Sequence, residues 1–160
     1  KGLESAWRIV TLKVGNKTSE ICDKYFHKLK EILDELPEVV SCVLSVLEPN
    51  VMIPIHNGYY KGVIRYMIPL VVPKDKENCY LWVNGIKYNW VEGQSVLWDD
   101  IYPHKVYNKT DEIRILLYMD IIRPIDSVFL NKLNLFVLKM TENTDIVKNE
   151  IKKTEIKVKI

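Results

Sequence analysis

Histidine and cysteine are scarce in this chain, three of each in 160 residues, and neither sign of charge dominates. Cys22, Cys42 and Cys79 make an odd count with no metal-type spacing. They read as reduced thiols in a reducing, cytoplasmic compartment. A net charge of +2 is too small to argue for nucleic acid as a partner. No run of eighteen apolar residues exists, so no transmembrane segment is expected. No charged-then-apolar leader opens the sequence, which starts at Lys1 and reads as trimmed from a longer precursor.

What is present is ordinary for a globular domain: 48% hydrophobic and 28% charged residues, enough to bury a core. Nothing repeats and no low-complexity linker interrupts the chain. The expected organisation is one domain over residues 1–140 and a charged tail over 141–160, where lysine, glutamate and isoleucine alternate. The tail reads as a solvated frayed helix or edge strand rather than a basic membrane-surface segment.

"TSEICDKYFHKLKEILDELP" carries Ile21, Tyr25, Leu29, Ile32, Leu33 and Leu36 at helical spacing. Thr18 or Ser19 caps its start and Pro37 stops it. His27 falls on the surface of that helix and has no assigned function. After Pro37 the pattern changes to "VVSCVLSVL", "IRYMIPLVV", "CYLWV", "IKYNW", "SVLW", "HKVY" and "IRILLYMDII". These stretches are short, β-branched and aromatic, with turn residues between them. Asn84-Gly85 signals a type I′ hairpin, and Glu92-Gly93 and Asn108-Lys109-Thr110 mark further turns. Many short strands without intervening helices predict a sandwich or jelly roll. "DSVFLNKLNLFVLKM" returns to helical spacing, with Asp126 or Ser127 as cap.

Two arginines stand inside apolar strands, Arg65 in "VIRYMIPLVV" and Arg114 in "IRILLYMDII". Arginine does not lose its charge, so burial demands an anion. The anion is either an acidic residue such as Asp99, Asp100 or Asp120, or a bound carboxylate. His104 lies ten residues before Arg114, across a turn. In a hairpin with an odd loop, Asn108 to Thr110, Tyr107 would pair with Asp111 and His104 with Arg114. An even loop would send the two side chains to opposite faces. His56, in "IPIHNGYYKG", would be a second imidazole beside them. The third position of a His-x-Asp or His-x-Glu ligand pair is there occupied by Gly58.

With these residues in place, the chain resembles the aspartyl/asparaginyl β-hydroxylases, a family of iron(II)- and 2-oxoglutarate-dependent oxygenases. "WVEGQSVLWDDIYPHKVYNKTDEIRILLYMDIIRP" is similar to the family's Trp-x-Glu-Gly, Asp-Asp-x-x-x-His and Arg-x-x-Leu-x-x-Asp-x-x-x-Pro string. "SVLEPNVMIPIHNG" resembles the segment of the first iron ligand, and the likeness runs from "AWRIVTL" to about Lys139. The resemblance implies a mainly β fold, a double-stranded β-helix of the jelly-roll, cupin-like kind, with flanking N- and C-terminal helices. It implies His56 and His104 as the Fe(II) ligands and Arg114 as the group holding the distal carboxylate of 2-oxoglutarate. Ser45 and Arg65 would line the cosubstrate pocket, with O2 as the oxidant. Animal members also carry glycine at the Gly58 position, with a water in place of the usual carboxylate. Asp99 and Asp100 are expected to orient His104 or that water.

One departure is visible. The family's Arg-x-His reads "RYM" here, with Met67 in the histidine's place, and methionine donates no hydrogen bond to a carboxylate. The implied function is a dioxygenase hydroxylating an Asp or Asn side chain of a protein or peptide. A lipid acyl-chain hydroxylase of the same family is the alternative, and Met67 keeps a non-catalytic binding module in view. Trp82 and Trp98 are read as core, and Tyr59 and Tyr60 as candidates to meet the substrate.

Overall fold

The computed structural model describes residues 6–142. Past Glu142, the tail expected from the sequence lies outside them. Two antiparallel sheets face each other. One holds β1 (Trp7–Val14), β2 (Lys17–Thr18), β3 (Val39–Leu47), β5 (Val63–Val71), β8 (Val96–Trp98) and β10 (Arg114–Ile122), in the order β2-β1-β3-β10-β5-β8. The other holds β4 (Val51–His56), β6 (Cys79–Val83), β7 (Ile86–Asn89) and β9 (His104–Asn108), in the order β4-β9-β6-β7. Helices α1 (Glu20–Tyr25) and α2 (His27–Glu35) cover the outside of the larger sheet, and α3 (Val128–Glu142) follows β10. This is the mainly β jelly roll with flanking helices that the sequence predicts.

Period-two alternation on the central strand β10 builds two cores. Leu116 turns inward between the sheets, with Leu47, Ile53, Met67, Cys79, Leu81, Trp90 and Val106. Leu117 and Met119 turn outward, against Leu12, Ile21, Cys22, Leu33, Val39 and Cys42. Each large side chain so buried contributes about 1.5–3 kcal/mol over exposure. Arg114, Tyr118 and Asp120 share the inward phase with Leu116, so the same alternation that makes the core aims polar groups into it.

The single helix expected from Thr18 to Pro37 is two helices. Phe26 leaves helical geometry, at φ −127° and ψ 46°, and packs toward the outer core. That turn takes Tyr25 and Ile32, both on the expected apolar stripe, out to solvent at 55% and 53% exposure. Of the two candidate caps Ser19 performs the role, its Oγ accepting from the Cys22 N–H at 3.2 Å. Lys13 closes the far end of α2, its buried ammonium donating to the Leu33 and Leu36 carbonyls at 2.8 and 3.3 Å. His27 is exposed, as expected.

Asn84 and Gly85 both have positive φ, 44° and 92°, in the hairpin that pairs Val83 with Ile86. The expected pairing of His104 with Arg114 is not formed. β9 and β10 belong to different sheets, so the turn between them crosses the sandwich instead of closing a hairpin. Asn108, fully buried, makes that crossing rigid: its amide donates to the Leu47, Glu48 and Glu112 carbonyls and its Oδ1 accepts from Thr110.

Candidate active site

The two scarce histidines meet. His56 ends β4 and His104 begins β9, and the two are register partners across that strand pair. The register slips between Ile53 and His56, where Pro54 has no N–H to give the ladder. Their ring centroids lie 4.0 Å apart with the planes tilted by 56°. His56 Nδ1 sits 2.8 Å from the Pro54 carbonyl and His104 Nδ1 sits 2.9 Å from the Tyr102 carbonyl. A carbonyl only accepts, so each Nδ1 carries a proton, and the neutral tautomer of each ring has its lone pair on Nε2. Burial holds the His104 pKa below the ordinary histidine value, with the Arg65 charge acting in the same direction, and so favours the neutral ring. His104 is 2% exposed, whereas His56 stands at the open rim.

Gly58 follows in a loop tied to the β8–β9 connection. Its N–H donates to the Asp100 carbonyl at 2.7 Å, and Asn57 Nδ2 donates to the Ile101 carbonyl at 2.8 Å. A Cβ on Gly58 would overlap the Asp100 carboxylate. An acidic group therefore does stand where a side chain at position 58 would go, and it comes from the other loop. Asp100 is 5% exposed, and burial raises its pKa despite the opposing Arg65 charge.

The two arginines differ in kind. Arg65 has acids on two sides: its Nε is 2.9 Å from Asp120 Oδ1 and its Nη2 is 3.1 Å from Asp100 Oδ2. Burial pulls its pKa down, but the Asp120 pair outweighs this and leaves it above the ordinary arginine value. Its guanidinium lies 4.7 Å from the Tyr118 ring centroid. Asp99, the third candidate, pairs with Arg123 at 2.8 Å.

Arg114 has no acid partner among the described residues. It is 2% exposed, its Nη2 donates to Ser45 Oγ at 3.0 Å, and its Nε is buried without an acceptor. Burial alone lowers its pKa to about 10. Ser45 Oγ also accepts from Trp7 Nε1 at 3.0 Å. Both of its lone pairs are thereby used, and its own proton remains to donate.

These groups share one cavity of about 60 Å³ between the sheets, lined by Ser45, His56, Arg65, Met67, Trp90, His104 and Arg114 among others. It opens into an outer chamber of about 330 Å³ bordered by Ile53, Ile55, His56, Gly58, Tyr59 and Asp100. The structure thus brings together every site residue named from the sequence: Ser45, His56, Arg65, His104 and Arg114. Met67 also lines the inner cavity, and Trp98 Nε1 points at its sulfur from 3.4 Å. Trp98 is therefore not simply core; it stands edge-on to His104 with centroids 4.8 Å apart. Tyr59 is fully exposed at the rim, while the Tyr60 hydroxyl is engaged by Asn134 at 2.5 Å. Sequence reasoning missed Trp90, whose Nε1 is a second buried donor with no acceptor beside Arg114. It opens the Trp-x-Glu-Gly string, which was the available signal.

The donor set suits an iron ion with an anionic chelator. Two imidazoles whose Nδ1 atoms are engaged by carbonyls leave Nε2 as the ligating atom, and an uncompensated guanidinium lies deeper in the same cavity. Among the described residues no group of three His, Cys, Asp or Glu side chains forms a complete metal cage. The protein's own ligands would leave most coordination positions open.

Comparisons with known proteins bear on the family and the fold. An ornithine lipid ester-linked acyl 2-hydroxylase from Rhizobium tropici is 32% identical over 95 residues, covering 59% of this chain and 34% of that protein. The human aspartyl/asparaginyl beta-hydroxylase is 25% identical over 123 residues, 74% of this chain and 16% of its own length. The chain thus spans about a third or less of these relatives. Among solved structures, the cupin domain of an XRE-family transcriptional regulator from Enterobacter cloacae superposes with a TM-score of 0.52 at 13% identity, over 74% of this chain and 99% of that one, a likeness of fold alone. The aspartyl/asparaginyl beta-hydroxylase profile matches residues 1–124, and the chain belongs to that family of hydroxylases.

Proposed function

We propose that the domain is an Fe(II)/2-oxoglutarate-dependent dioxygenase that hydroxylates a substrate carbon. The observation that carries this reading is the pairing of two Nε2-free imidazoles with a buried guanidinium that has no acid of its own, in one cavity. His56 and His104 would hold the iron. Arg114 Nε and the Ser45 hydroxyl would take the distal carboxylate of 2-oxoglutarate, and Trp90 Nε1 offers a further donor beside Arg114. Arg65, already shared between Asp120 and Asp100, holds those two carboxylates in place. When bound, the iron and 2-oxoglutarate supply oxygen activation coupled to decarboxylation, and the carbon product is succinate. Asp100 stands on the Gly58 side of the chamber, where its carboxylate would orient polar groups beside the two histidines.

The outer chamber favours an acyl chain over an aspartate as substrate. Ile53, Pro54, Ile55 and Tyr59 border it, and its single cation, Arg65, is committed to two internal acids. An anionic side chain entering there would meet Asp100 with no free positive charge to receive it. The acyl-hydroxylase relative supports the same choice. A protein or peptide Asp or Asn side chain is the second reading, supported by the human relative.

The test is succinate formation from 2-oxoglutarate with Fe(II) and O2, without added substrate. Slow, iron-dependent succinate that disappears in His104→Ala is expected. No succinate above background, with no thermal shift by Mn(II) plus 2-oxoglutarate, would leave a non-catalytic binding module.

A further inference from the structure

Among the described residues, helix α3 carries a broad exposed apolar face. Phe129, Leu133, Phe136 and Met140 stand at i, i+4, i+7 and i+11, on one stripe, and are 73%, 47%, 61% and 62% exposed. Val128 and Leu135, 70% and 43% exposed, widen the apolar surface beyond that stripe. The only charged side chains from Val128 to Thr141 are Lys132 and Lys139, both exposed and one helical heptad apart.

This surface is fixed to the body of the domain. Ser127 Oγ accepts from the Leu130 N–H at 3.4 Å and starts the helix. Asn134, 4% exposed, donates to the Gly62 carbonyl at 2.9 Å and accepts from the Tyr60 hydroxyl at 2.5 Å. A Cβ at Gly62 would overlap Asn134, so glycine permits this close seat. The seat adjoins the catalytic chamber. Tyr60 and Gly62 belong to the same short loop as Asn57, Gly58 and Tyr59, which border the chamber mouth. At the mouth Ile55 and Tyr59 are themselves 59% and 104% exposed.

We infer that α3 lies flat on an anionic lipid surface, its phenylalanine stripe in the acyl boundary and its two lysines at headgroup level, and that the chamber beside it draws its substrate from that surface. Three features select this occupant. The helix sequence holds two lysines against a single carboxylate at its last position, Glu142, a positive balance that complements acidic headgroups. At 15 residues it is too short to cross a bilayer, which takes about 20, but long enough to lie in its interface. The exposed apolar surface is also wider than one seam against another helix would use. That the surface supplies the substrate rests on the acyl-chain reading of the chamber; the docking itself does not.

The experiment is co-sedimentation of the full 160-residue chain with phosphatidylcholine vesicles, with and without phosphatidylglycerol. The comparison set is Phe129→Glu/Phe136→Glu, Lys132→Glu/Lys139→Glu and His104→Ala, each checked for folding by thermal melt. The unsubstituted chain and His104→Ala should sediment with phosphatidylglycerol vesicles, less so at high salt or with phosphatidylcholine alone. The phenylalanine pair should lose at least about tenfold in partitioning, and the lysine pair should lose the preference for phosphatidylglycerol. No sedimentation of the folded chain overturns the inference, as does binding indifferent to both helix variants. A dimer that the phenylalanine variant turns into monomer, without vesicle binding, assigns the stripe to a second copy and overturns it too. Failure of the oxygenase reading is separate, appearing as no Mn(II)-dependent thermal shift with 2-oxoglutarate while vesicles still bind.

Discussion

The Asp100 carboxylate fills the space that a side chain on Gly58 would need. Two loops thus contribute to one position: the β4–β5 loop gives up its side chain there, and the β8–β9 loop supplies an acid, itself held by Arg65. Gly58 is required for room and not for backbone freedom, because its φ lies outside the left-handed region.

Gly58→Asp should therefore fail to strengthen metal binding, although it writes a His-x-Asp ligand pair into the sequence. The new carboxylate would collide with Asp100 and add a second anion in a buried site. Lower melting temperature and weaker Mn(II) binding by calorimetry are expected. Gly58→Asp/Asp100→Ala, which clears the space, should recover both. Tighter Mn(II) binding in the single variant would refute this account of the glycine.

Arg114→Met and Arg65→Met should separate a cation kept for a ligand from a cation kept for the fold. Arg114 has no acid partner among the described residues, so an apolar replacement removes a desolvated charge and leaves no anion stranded. Its melting temperature should hold or rise, while the thermal shift given by 2-oxoglutarate with Mn(II) vanishes. Arg65→Met strands Asp120 and Asp100 in a partly buried cluster and should cost about 3–5 kcal/mol in urea unfolding. Equal destabilisation by the two substitutions would contradict the distinction.

Met67→His should tighten 2-oxoglutarate binding. Met67 lines the inner cavity opposite Tyr118 in the β5–β10 register, and an imidazole there adds a donor near Arg65. A hydrogen bond to a charged group contributes about 1.5–3 kcal/mol, which is roughly tenfold or more in affinity. Trp98 Nε1 now points at the Met67 sulfur and would find a ring nitrogen instead. An unchanged dissociation constant in the Mn(II)-loaded protein would mean that the cosubstrate does not approach this position.

Much of this was legible in the sequence because the chemistry is written in rare residues. Two histidines in turn-rich segments, and two arginines in apolar strands that each demand an anion, mark the positions where a site would be sought, although only Arg114 lacks an acid partner among the described residues. Strand composition revealed most of the sandwich. It hid β4, whose Pro54 spoils the pattern but is tolerated on a sheet edge, and β1, whose Arg8 and Lys13 break the alternation. What sequence spacing does not encode is which sheet a strand joins. His104 and Arg114 are ten residues apart and reach one cavity, yet from opposite walls rather than as hairpin neighbours. The different fates of Arg65 and Arg114 were equally hidden, since both sit among apolar neighbours and only the register shows Asp120 facing Arg65. The break at Phe26 followed from packing against the outer core, which helical periodicity does not register.

The seat of α3 offers a final check that needs neither metal nor lipid. Gly62→Ala places a methyl group into Asn134 and the Tyr60 ring, so the helix must lift and give up the Asn134 bonds to the Gly62 carbonyl and the Tyr60 hydroxyl. Faster amide exchange through α3 and the adjoining loop is expected, with β3 and β10 as protected as before. Asn134→Ala loses the same bonds but makes no clash. Combined with Asn134→Ala, the Gly62→Ala methyl has less to displace, so the double variant should be more stable than the sum of the singles predicts. The coupling should be about 0.5–3 kcal/mol. Strict additivity would mean that glycine and asparagine do not meet, and that α3 is held to the sandwich by other contacts.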